Sequence, residues 1–85
     1  MILAAKRDAA MNVFIVSQFG AFWAVVNHGV VISRSQTSTS ALYLAIRSAA
    51  LSSGTQAEPA QVMLEDDKGN RVVMWDSRQD SFSEA

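Results

Sequence analysis

The chain opens its apolar pattern at Asn12 and holds it in short bursts separated by turn residues. NVFIVSQ (Asn12–Gln18), AFWAVVN (Ala21–Asn27) and VVISRS (Val30–Ser35) are rich in β-branched and aromatic side chains, which favour a pleated, half-buried surface. Phe19-Gly20 and Asn27-His28-Gly29 separate them, and connections this short can only reverse the chain. The first half therefore predicts an antiparallel meander of three strands. From Thr37 to Ser53 the rhythm changes. Leu42, Ala45, Ile46, Ala49 and Ser53 recur at spacings of three and four, the signature of one helix face. Ala41 and Leu44 widen that stripe, and Arg47, Ser48 and Ser52 fall on the side expected to meet solvent. The hydroxyls of residues 37–40 can cap the first turn, and Gly54 is placed to close the last. After the loop holding Pro59, the only proline, QVMLE (Gln61–Glu65) and RVVMW (Arg71–Trp75) read as two further strands around an Asp66–Asn70 turn.

The predicted order is β-β-β-α-β-β: an α+β domain in which one helix packs on one face of a five-stranded antiparallel sheet. Residues 12–77 form this single domain, residues 1–11 read as a flexible or weakly ordered N-terminal segment, and residues 78–85 as a frayed polar tail.

A sheet covered on one side should alternate apolar and polar positions. These strands do not. Phe14 and Val16 oppose Val13 and Ile15; Trp23 and Val25 oppose Phe22, Ala24 and Val26; Val73 and Trp75 oppose Val72 and Met74. A helix about 10–12 Å across cannot cover both faces. The second face therefore calls for a second copy of the chain, the N-terminal segment or a ligand, and a homodimer through sheet faces or edges is the expectation because two-fold dimers are the commonest oligomers. The possible interaction surface comprises Trp23, Val25, Arg34, Arg71, Val73 and Trp75.

Composition narrows the picture. Eighty-five residues without cysteine allow neither disulfides nor thiolate metal sites, so stability must come from packing, and 49% apolar residues supply it. Such a domain is typically stable by roughly 4–12 kcal/mol. A formal charge of −1 with seven Lys plus Arg disfavours a dedicated nucleic-acid binder. The apolar run Ala21–Val26 falls far short of the roughly 20 residues that span a bilayer, so no membrane association is expected and the localisation reads as cytoplasmic.

Candidate chemistry is sparse. His28, the only histidine, sits in a turn with no nucleophile or carboxylate near it in sequence. Glu65-Asp66-Asp67 gathers three carboxylates, but Asp followed by Lys-Gly-Asn is ordinary turn chemistry, and the ligand spacing of a calcium loop is absent. The hydroxyl run 35–40 lacks the glycines of a phosphate cradle; with Arg34 upstream it could attract an anion to a helix N-terminus, and capping is the simpler role. Trp23 and Trp75 are either core residues or a stacking platform bordered by Arg34, Arg47, Lys68 and Arg71. No metal, cofactor or catalytic residue is assigned.

Trp23-Ala24-Val25, the helix with Ala41 and Ala45, Asp67-Lys68-Gly69 and Asp80-Ser81-Phe82 together resemble a family of small, mostly bacterial proteins of unknown function. Its pattern combines a W-x-V strand, an alanine-containing helix, a D-x-G-like hairpin turn and a D-S-aromatic tail, and the likeness covers roughly residues 12–82. This chain departs from it in a helix poor in charge and in Phe82 where tyrosine is expected. The resemblance implies a fold and no activity. The expectation is a small self-associating interaction domain without catalytic activity; the alternatives are a nucleic-acid-binding module or a small-ligand or peptide binder using the apolar sheet face.

Overall fold

The computed structural model describes residues 11–56 and 58–80; what the sequence suggests for residues 1–10 and 81–85 lies outside the described residues. Five strands and one helix follow in the expected order: β1 (Asn12–Phe19), β2 (Phe22–Asn27), β3 (Val30–Ser35), α1 (Ser38–Gln56), β4 (Ala60–Glu65) and β5 (Arg71–Asp76). The sheet order is β3-β2-β1-β4-β5.

The sheet is mixed, which corrects the expectation of a purely antiparallel one. β1 pairs with β4 in parallel, Phe14 beside Val62 and Ile15 beside Met63. The reason is topological. A meander leaves β1 and β3 running the same way. Helix α1 then carries the chain back along one face, so β4 starts in that direction too. Since β2 is flanked on both sides, the only open neighbours were β1 and β3, and either pairing is parallel.

Turn chemistry fixes the hairpins. Gly20 adopts φ 61° in the β1–β2 connection, and His28 and Gly29 both adopt positive φ, 54° and 77°, the backbone that suits a two-residue reversal. In the β4–β5 turn the Asp66 carboxylate accepts hydrogen bonds from the backbone N–H of Lys68 (2.8 Å) and Asn70 (2.9 Å).

At the start of α1 the Thr37 hydroxyl accepts a hydrogen bond from the Ser40 N–H at 3.1 Å, making Thr37 the cap. Gly54 does not close the helix as expected; it lies inside α1, which runs on to Gln56. Ala41, Ala45 and Ala49 form a fully buried line that lets the helix approach the sheet closely, meeting Phe14, Val16, Val25, Ala60, Val62 and Trp75. Leu42, Ile46 and Ala50 pack along its flanks. The shortest dimension of the molecule, 20 Å, is that of one helix layer on one sheet.

A polar chain closes one end of this core. Asn27 Nδ2 donates to Asn12 Oδ1 (2.8 Å) and to the Val13 carbonyl (2.9 Å), while Asn12 Nδ2 donates to Ser52 Oγ (2.7 Å). Ser52, assigned to solvent by its helical spacing, is thus half-buried and tied to β1.

Beyond β5 the chain is hydrogen-bonded as far as Asp80. Ser77 exchanges two hydrogen bonds with the Ala60 backbone, and the N–H groups of Gln79 and Asp80 donate to the Asp76 carbonyl. Arg78 donates through Nε (3.0 Å) and Nη2 (2.7 Å) to the two carboxylate oxygens of Asp76.

Candidate functional site

Each edge strand carries a bulge. Between β2 and β3 the register shifts so that Val25 faces Ser33 but Val26 faces Val31, leaving Ile32 extra. Between β4 and β5, Val62 faces Trp75 but Met63 faces Val73, leaving Met74 extra. The second bulge corrects the strand-five reading: Val73 and Trp75 were placed on one face by counting in twos, whereas the extra residue sends Trp75 under the helix and Val73 to the other side.

The registers align one level of the helix-free face across the whole sheet. Val31 lies beside Val26, Val26 beside Ile15, Ile15 beside Met63, and Met63 beside Val73. All five strands contribute an apolar side chain, forming a continuous belt about 19 Å wide at ordinary strand spacing. Its ends are open, Val31 at 41% and Val73 at 47% exposure, and its three central members are half-buried.

Beside the belt runs a row of Arg34, Ala24, Ser17, Glu65 and Arg71, polar except at Ala24. The Ser17 hydroxyl donates to Glu65 Oε1 and Arg71 Nε donates to Glu65 Oε2, both at 2.9 Å. The Arg71 guanidinium, then the Ser17 hydroxyl, holds the Glu65 carboxyl below the usual carboxylate range. Arg34 lies 5.3 Å from the centroid of the Phe22 ring, which in turn stacks on Phe19 at 6.3 Å. On the belt's other flank Gln61 pairs with Asp76, and Gln61 Nε2 donates to Asp76 Oδ2 at 2.9 Å.

Of the six residues expected on an interaction surface, the structure brings Arg34, Arg71 and Val73 to this face. Val25 (0% exposed) and Trp75 (7%) are core residues beneath α1. Trp23 is half-buried on the helix side and lines an open cleft of about 270 Å³ with Gln18, Gly20, Glu65, Asp66 and Asp67. Two of that cleft's three carboxylates are already engaged, Glu65 by Arg71 and Ser17, and Asp66 by its own turn, whose N–H groups lower its pKa.

The Asp76 carboxyl is held well below its ordinary range, first by Arg78 and then by Gln61. The Glu65, Asp66 and Asp76 carboxyls are thus all held low, away from the near-neutral values that suit proton transfer. Among the described residues no three His, Asp or Glu side chains converge as a metal site would require. His28 is exposed in the β2–β3 turn. No described helix is long and apolar enough to cross a membrane.

The belt itself escaped the sequence reading, which named Val73 but not Val26, Ile15, Met63 or Val31 as parts of one surface. A signal was present for half of it. The short turns at Gly20 and His28 set the β1–β2 and β2–β3 registers.

Compared with models of protein families, with curated proteins and with solved structures, the chain matches none of them.

Proposed function

We propose that this chain is a small non-enzymatic interaction domain that self-associates through the helix-free face of its sheet. The observation that carries the reading is the five-strand belt Val31–Val26–Ile15–Met63–Val73, level across the sheet and flanked by the hydrogen-bonded groups Ser17–Glu65–Arg71 and Gln61–Asp76. An apolar centre with a polar rim is the anatomy of a protein interface. The parallel pair β1–β4 adds weight, since parallel strands ordinarily have both faces covered.

Both edges disfavour the alternative of strand addition, because the bulges at Ile32 and Met74 interrupt the ladder an incoming strand would extend. A nucleic-acid platform draws little support. Trp75 is buried, Trp23 opens onto an acid-lined cleft, and of the two arginines on the sheet face one is paired with Glu65 and the other lies over Phe22.

Light scattering coupled to size-exclusion chromatography tests the reading. At low micromolar concentration the expected molar mass is twice that of the 9.2 kDa chain. A monomer throughout the micromolar range contradicts it.

A further inference from the structure

We draw no further inference here: the strongest candidate, the open cleft where Trp23 meets Glu65, Asp66 and Asp67, is an acidic cluster whose Glu65 and Asp66 carboxylates are already held by Ser17, Arg71 and the turn's own N–H groups, and nothing among the described residues points to a ligand in it.

Discussion

Asn12 shows how much one polar residue can organise. It ends the apolar run on the N-terminal side, and in sequence it marks only where a strand begins. In the fold it is 7% exposed and joins β2 to the helix by accepting from Asn27 and donating to Ser52. Neither bond is written in the local pattern, because the partners are 15 and 40 residues away. Asn12→Ala removes the acceptor of a part-buried Asn27 amide hydrogen and the amide that donates to Ser52, which costs about 1–3 kcal/mol. For a domain of this size that lowers Tm by roughly 4–8 °C per kcal/mol, measurable by thermal unfolding. Adding Asn27→Ala should cost less than the sum of the two single changes, since one bond is shared.

Asp76 makes the complementary case for a charge. Its pKa is depressed in the folded chain by Arg78 and Gln61, so its contribution to stability is complete above the unfolded value near 4 and is lost as pH falls below it. Asp76→Asn should therefore lower the urea midpoint at pH 7 and flatten its decline between pH 5 and 3. An unchanged acid slope would remove Asp76 from the account.

Among the elements, the helix was the most legible and its ends the least. The spacing of Ala41, Ala45 and Ala49 placed small residues on the inward face, and all three are fully buried. Gly54 was misread because a glycine permits a helix to end without requiring it: Gly54 lies exposed within α1, which runs on to Gln56. The close approach across these alanines makes a specific prediction. Ala45→Leu inserts three heavy atoms against the sheet and should destabilise by about 1–3 kcal/mol, by urea unfolding, despite leucine's good helix propensity. A neutral or stabilising result would mean the contact is looser than described. The strands carried a different error. Counting in twos assigns faces correctly only as far as the first bulge, and nothing in VVISRS or RVVMW announces that Ile32 or Met74 is the extra residue. This is why Trp75 was grouped with Val73 although one lies in the core and the other on the open face.

For the whole molecule, the mixed sheet was legible and overlooked. Once a three-strand meander is followed by a helix and another strand, the fourth strand must pair in parallel with an outer member of the meander. The two-sided apolar pattern was read correctly as more than one helix could cover, and one face is indeed helix-free. The belt on that face lay beyond single-chain reasoning in one respect only: the parallel register of β1 on β4, which places Ile15 beside Met63, depends on a crossover that no turn fixes.

The central claim is that the belt, and not a sheet edge, is where this chain associates. The most direct test compares sedimentation velocity of three proteins at equal concentration: the native chain, Ile15→Lys in the middle of the belt, and Ile32→Lys at the β3 edge. The account predicts a dimer for the native chain and for Ile32→Lys, and a folded monomer for Ile15→Lys. A dimer that survives lysine at position 15 and dissociates with lysine at position 32 would contradict it and move the interface to the edge.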